Sequence, residues 1–315
     1  MTSVLVTGAG GFIGRRVVFA ANNSGFGVTT IVRKLHLSDV RSVIQHDLTL
    51  PLGNLPPVDW IFHLAGAYAG AGDEELRRAD LQIAHNVIHW GLEAGIKNWI
   101  FASAAEVYGD VYGRATEEAP TQPVIPYGRA KLMVEQLFMK KTKDIPNRRV
   151  VIFRIGEVYG SEGRLINELA IRLQRGFCPW PGTGHVPVSF VHVDDVAQAF
   201  LRAVQNAPVG VSVYNVADDM PVTWRDFLVC IAQLLGVKPP VFLPKPLVHL
   251  YAAGSTLASW AARRERVLTS RAIRLITTPK ALSNARLKRE MGFQPCYPTY
   301  PEGLEEALRG LSHNA

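Results

Sequence analysis

Short, nearly continuous apolar runs punctuate the first half of the chain: Ser3–Thr7, Val28–Val32, Ser42–His46, Val58–Leu64, Trp99–Ser103 and Val150–Arg154. A run without polar alternation marks a strand covered on both faces. Between these runs apolar positions recur at helical spacing, over Arg15–Asn22, Glu74–Ala94 and Tyr127–Thr142. Buried strands alternating with helices predict an α/β fold, a doubly wound parallel sheet with helices on both sides.

Beyond residue 160 the pattern loosens. The Gly- and Pro-rich "GFCPWPGTGHVP" interrupts it, and "VSFVHVDDVAQAFLRAV" then restores a strand and a helix, with Asp194 or Asp195 the expected helix cap. "GVSVYNV" reads as a further strand that rejoins the sheet. The expected organisation is a dinucleotide-binding domain over 1–160, rejoined by about 188–216. A smaller, mostly helical substrate-binding domain is made from 161–187 and 217–315. Within it, "PLVHLYAAGSTLASWAA" at 246–262 carries no formal charge and is flanked by Lys245 and Arg263-Arg264. It reads as a helix packed in that domain, with an apolar pocket wall or a membrane-interface segment as the alternatives.

Composition narrows the class. The 315 residues are 48% hydrophobic and 19% charged, with a net charge of +7 that is scattered along the chain. No run of like charge marks a nucleic-acid tail, so no nucleic-acid partner is expected. No run of about 18 apolar residues, the length a spanning helix needs, is present, so no spanning helix is expected. Cys178, Cys230 and Cys296 have neither CxxC nor zinc-ligand spacing, so no metal is expected and a reducing, cytoplasmic setting fits. The first strand starts at once, without a leader pattern.

The first strand runs into "TGAGGFIG", with Gly8, Gly11 and Gly14 three residues apart. Glycines here let the backbone turn sharply and approach a pyrophosphate, while the helix that follows offers free N–H groups to the anion. A dinucleotide is therefore the expected cofactor. Preference for NAD(H) usually needs a carboxylate at the end of the second strand. Arg33 and Lys34 occupy that place, and Arg15 follows the glycine turn. The expectation is NADP(H), with NAD(H) as the alternative. "HDL" after the third strand puts Asp47 and Leu48 where an adenine ring could be bordered.

"YGRAK" sets Tyr127 and Lys131 four residues apart, on one face of a helix. An ammonium beside a phenol favours phenolate, so a lowered tyrosine pKa is expected. Such a tyrosine can take a proton from a carbinol as hydride leaves, or return one to a carbonyl as hydride arrives.

Taken in order, "TGAGGFIG", "HDL", "VDWIFHLAG", "NWIFASAAEVYG", "PYGRAK", "VVIFRIGEVYG", "FVHVDDVAQAF" and "YNVADDMPVTWRDF" resemble the extended short-chain dehydrogenase/reductase superfamily, the group of NAD-dependent epimerases and dehydratases. The resemblance covers roughly 1–235, and "ALSNARLKREMGFQPCYPTYPEGLEEAL" is similar to the family's C-terminal end. It implies a Rossmann sheet and a role for Tyr127 as acid/base, with Lys131 also holding the nicotinamide ribose. Gly8, Gly11, Phe12, Ile13 and Gly14 would line the cofactor. Asp47 and Leu48 would meet the adenine, and Leu64, Ala65 and Gly66 would pass beneath. It also implies a homodimer built on the stretches 74–94 and 127–142.

The sequence departs from the family in several places. The catalytic Ser or Thr after the fifth strand aligns with Ala104, and Ser103 lies one residue early, on the other face of a regular strand. Ser103 remains a candidate if the chain bulges. Glu106 matches the acid or base of the dehydratases, but its usual neighbours are Ala104 and Ala105. Glu106 is also read as a ligand for a sugar hydroxyl or as a structural carboxylate. Where nucleotide-sugar enzymes place an Asn against the substrate diphosphate, this chain has Glu157, and Val188 and Ser189 replace a usual Arg.

The expected function is hydride transfer at a secondary carbinol or ketone of a small molecule, first a nucleotide-activated sugar. A reductase or dehydrogenase for a hydrophobic alcohol or ketone, similar to the 3β-hydroxysteroid dehydrogenase or dihydroflavonol reductase branches, is the alternative. A non-catalytic dinucleotide sensor is the third reading.

Overall fold

The computed structural model of the chain describes residues 1–33, 42–66, 73–176, 178–244, 246–248 and 270–309, without the side chains of 73–78 and 270–272. Lys34, Lys245, Arg263, Arg264 and most of the apolar stretch expected at 246–262 lie outside the described residues.

A seven-stranded sheet forms the centre. Its strands are β1 (Ser3–Thr7), β2 (Gly27–Val32), β3 (Ser42–Gln45), β4 (Trp60–His63), β5 (Asn98–Ala104), β7 (Arg149–Ile155) and β12 (Gly210–Val216). They are ordered β12-β7-β5-β4-β1-β2-β3 and all pair in parallel. The doubly wound sheet expected from the apolar runs is the fold observed.

Alternation along each strand explains the two covered faces. On β5, Trp99 and Phe101 join the core under α2 (Asp73–Glu93) and α3 (Pro126–Thr142), while Ile100 and Ala102 join the core on the other face, under α1 (Phe12–Asn23) and α5 (Val193–Asn206). β7 repeats the pattern, with Val150 and Ile152 on one side and Val151, Phe153 and Ile155 on the other. Both faces of each strand are apolar because both are buried, which is why the runs are continuous in sequence.

The cap of α5 differs from expectation. The His192 side chain, not Asp194 or Asp195, accepts the Asp194 backbone N–H, at 3.3 Å. Asp195 is wholly buried and accepts the backbone N–H groups of Cys296 and Tyr297, at 2.5 and 3.1 Å. It fastens the C-terminal segment to α5 rather than closing its own helix. Asp194 instead lies 3.5 Å from Arg16.

A second hydrophobic core lies beyond the sheet. It includes Tyr159, Leu169, Phe190, Trp224, Phe227 and Leu304, with the Phe190 and Phe227 rings stacked at 3.7 Å. Short strand pairs tie this part together, among them β8 (Glu157–Tyr159) with β11 (Phe190–His192) and β6 (Arg114–Ala115) with β15 (Ala281–Leu282). Through these pairs, residues near 106, 157 and 280 meet at one end of the sheet. Among the described residues no helix is long and apolar enough to cross a membrane.

Candidate active site

The carboxyl ends of β1 and β4 are where the sheet reverses its winding, and a cleft of about 350 Å³ opens there. Ligands of open α/β sheets bind at such a switch point. One wall is the turn into α1, with Gly8, Gly11, Phe12, Ile13 and Gly14. Leu64 and Gly66 after β4 form the floor, and the end of β5 contributes Ala102, Ser103 and Ala104. Tyr127 and Lys131 face Glu106 and Glu157 across the remaining space.

The glycine turn fits a dinucleotide. Gly8 has φ +73°, and a Cβ there would come within 2.6 Å of the Ala65 nitrogen. A Cβ at Gly14 would come within 2.1 Å of the Gly8 carbonyl oxygen. Larger residues would push the turn off the sheet and close the approach. No side chain caps α1, whose N-cap is Gly11, so its first N–H groups remain donors for an anion. Thr7 steadies the floor: its hydroxyl bonds His63 Nδ1 at 2.9 Å and accepts the Ala65 N–H at 3.3 Å.

The remaining expected cofactor residues lie around this core rather than in the cleft wall. Arg15 is half exposed and 3.9 Å from Glu162. Arg33 is exposed at the end of β2. Asp47 accepts the N–H and hydroxyl of Thr49, which hold its carboxyl below the usual carboxylate range. Leu48 is buried, and its carbonyl accepts an N–H from Asn86 at 2.9 Å.

Lys131 Nζ is 5.7 Å from the centre of the Tyr127 ring. The same ammonium lies 3.8 Å from the carboxylate of Asp80, which α2 carries into the site. Burial pulls the ammonium below its ordinary value, against the opposing pull of Asp80. Burial, then the charges of Glu106, Asp80 and Glu157, hold the Tyr127 phenol above its ordinary value. The lowered tyrosine expected from Lys131 alone is thus reversed, first by burial and then by the surrounding carboxylates.

Ser103 lines the cleft, but its hydroxyl donates to Glu135 Oε1 of α3 at 2.5 Å. The pairing of β5 with β7 continues in register through Ser103 and Ala104, so no bulge turns the hydroxyl toward a substrate. Glu135 also accepts two bonds from Arg154, at 2.8 and 3.2 Å, in a buried cluster. The candidate hydroxyl donor is therefore a member of that cluster.

Glu106 stands at the cleft in an ion pair. Lys280 Nζ donates to Glu106 Oε1 at 2.6 Å and to Glu157 Oε1 as well. Burial acts to lower the Lys280 ammonium, but the two carboxylates outweigh it and raise it above its ordinary value. Asp80, Glu135 and Lys280 are the residues that the sequence reading missed. None lies in a motif, and each reaches the site only through the tertiary fold.

A sequence profile of the NAD dependent epimerase/dehydratase family matches residues 4–217. The chain belongs to that family. Among its relatives is the 4-hydroxy-2-methyl-3-oxo-4-farnesyl-3,4-dihydroquinoline-1-oxide ketoreductase of Stigmatella aurantiaca, 27% identical over 96% of this chain and 95% of the relative. UDP-arabinose 4-epimerase 1 of Arabidopsis thaliana is also 27% identical, over 78% of this chain and 70% of its own. The fold is shared with the Thermus thermophilus UDP-glucose 4-epimerase solved with NAD, at a TM-score of 0.77, 22% identity and full coverage of both chains. As a member of the epimerase/dehydratase family the protein is an oxidoreductase that uses a nicotinamide dinucleotide, and the glycine turn is the part of the chain suited to hold it.

Proposed function

We propose that the protein interconverts a ketone and a secondary alcohol, with Tyr127 handling the proton. The observation that carries this reading is the placement of Tyr127 and Lys131 in one cleft with the uncapped glycine turn. The nicotinamide, when bound, supplies or accepts the hydride. Gly8, Gly11, Phe12, Ile13 and Gly14 hold the pyrophosphate end, with Leu64, Ala65 and Gly66 beneath. Tyr127 gives its phenolic proton to the carbonyl oxygen as the carbon gains hydride, and recovers one from the hydroxyl in the reverse direction. Lys131 anchors the ribose and stabilises the phenolate left behind. Burial and the nearby carboxylates hold the phenol above its ordinary value, so at neutral pH it carries the proton that a carbonyl would receive.

Arg33, at the end of β2, is placed to meet a 2′-phosphate, so the cofactor proposed is NADP(H). Of the two substrate classes, the ketone or alcohol without a diphosphate is the better fit, because Glu157 and Glu106 both border the substrate end of the cleft. A ketoreductase is among the relatives that match this chain nearly end to end. We also propose a homodimer through α2 and α3, which pack beside each other on one face of the sheet; a light-scattering mass of one chain overturns this.

The test of the chemistry is Tyr127→Phe, assayed with a ketone that the wild type reduces. Turnover should fall by about a thousandfold, within the usual range for loss of a general acid, while the reduced dinucleotide still quenches protein fluorescence. Retained turnover removes the proton route.

A further inference from the structure

The Glu106–Lys280–Glu157 cluster is built into three separate parts of the fold. Glu106 follows β5, Glu157 opens β8, and Lys280 immediately precedes β15. Lys280 is fixed at its backbone, donating its N–H to the Pro187 carbonyl at 2.9 Å and accepting the Ser189 N–H at 3.2 Å. Its side chain is 1% exposed, whereas those of Glu106 and Glu157 remain 11% and 20% exposed. The ammonium is therefore sealed behind its two carboxylates, and the carboxylates are what the cleft sees.

The charges do not cancel. Two carboxylates against one ammonium leave one negative charge on the cleft wall. Among the described residues that line the cleft, Lys131 is the cation, and Asp80 already stands 3.8 Å from it. An anionic substrate would meet a like charge there, in a site where water screens it poorly. A hydroxyl or N–H donor would meet carboxylate oxygens with unused lone pairs.

We propose that the Glu106–Lys280–Glu157 triad selects the substrate by charge, admitting an uncharged ketone or alcohol that carries a hydrogen-bond donor and rejecting anions, nucleoside diphosphates included. This rests on the ketone–alcohol reading above and names its substrate class. Lys280 holds the two carboxylates in place and keeps the surplus at one charge rather than two.

The test uses the full chain with saturating NADPH and a matched set of aryl methyl ketones that carry a para hydroxymethyl, methyl or carboxylate group. The kcat/KM for the carboxylate should be roughly tenfold or more below that for the hydroxymethyl ketone, the scale of one unmatched charge in a partly screened site. Glu157→Gln or Glu106→Gln, each of which removes the surplus charge, should shrink that ratio several-fold. In parallel, UDP is titrated into the NADPH-loaded wild type by calorimetry, and no saturable binding is expected up to millimolar UDP. Ketone kinetics blind to charge, a ratio unmoved in both variants, or micromolar UDP binding each overturns the proposal while leaving the ketone–alcohol reading standing. If neither NADPH nor NADH binds, that reading falls and the proposal falls with it; if NADH alone binds, the same set is run with NADH.

Discussion

The Lys131 ammonium lies 3.8 Å from the Asp80 carboxylate, and both side chains are almost wholly shut off from water. This pair changes what Lys131 does for Tyr127. An isolated ammonium would draw the phenol's pKa down. Here burial and the charge of Glu106 raise the phenol above its ordinary value, and Asp80 adds to that repulsion while standing beside the ammonium.

Asp80→Asn therefore should shift the alkaline limb of the pH profile for alcohol oxidation to lower pH. Two effects share that sign: a negative charge near the phenol is removed, and the Lys131 charge is no longer offset. Should Lys131 lose its proton in the variant, the first effect still acts in the same direction. The variant should also be less stable by about 3 kcal/mol, because a buried charge has lost its partner. A limb that stays put or moves up would show that Asp80 does not tune Tyr127.

Ser103→Ala separates a catalytic hydroxyl from a structural one. The Ser103 proton is given to Glu135, which also carries Arg154. Removing it should cost about 1–3 kcal/mol of stability, as for a buried acceptor that loses one bond. Turnover should fall by no more than a few-fold when measured well below the unfolding transition. A loss of a hundredfold at intact stability would return Ser103 to the role of substrate donor.

Arg33→Ser tests the cofactor preference. A guanidinium bonded to a 2′-phosphate contributes about 1.5–3 kcal/mol, which corresponds to roughly tenfold or more in affinity. The KM for NADPH should rise by that factor, with the KM for NADH changing by less than about twofold. Equal changes for both dinucleotides would place Arg33 outside the cofactor's recognition.

What could be read from the chain alone follows from how local each feature is. The strands were legible because burial on both faces makes their apolar runs continuous. The glycine turn was legible because its demand falls on the backbone of eight consecutive residues. Tyr127 and Lys131 share one helix face, so their spacing is itself the signal. Lys280 gives no such signal: its partners Glu106 and Glu157 lie 174 and 123 positions away, and a single Lys before a two-residue strand has no pattern. Asp80 is one of several polar residues along α2, and its spacing does not mark it as the one that meets Lys131. The direction of the Tyr127 shift is hidden for the same reason: Lys131 is visible in sequence, while the burial that dominates and the carboxylates Glu106, Asp80 and Glu157 arise only in the tertiary fold.

His63 offers a test at the floor of the site. It is 1% exposed, its Nδ1 bonded to the Thr7 hydroxyl and its ring stacked with Phe101 at 5.7 Å. Burial, with the Lys131 charge added, lowers its pKa from 6.5 to about 3. The folded-state value lies below the unfolded one, so on acidification the unfolded chain takes up this proton first. Stability attributable to His63 is thus complete above the unfolded pKa and is lost as pH falls toward the folded one. The loss should approach about 1.4 kcal/mol per pH unit within that window. His63→Asn, which keeps a polar partner for Thr7, should lower stability at neutral pH but flatten this slope, so that wild type and variant converge between roughly pH 6 and pH 4. Denaturant unfolding at a series of pH values reads the difference directly. Parallel stability curves over that range would mean that His63 takes up its proton in the folded protein, and that burial beside Lys131 does not hold the ring neutral.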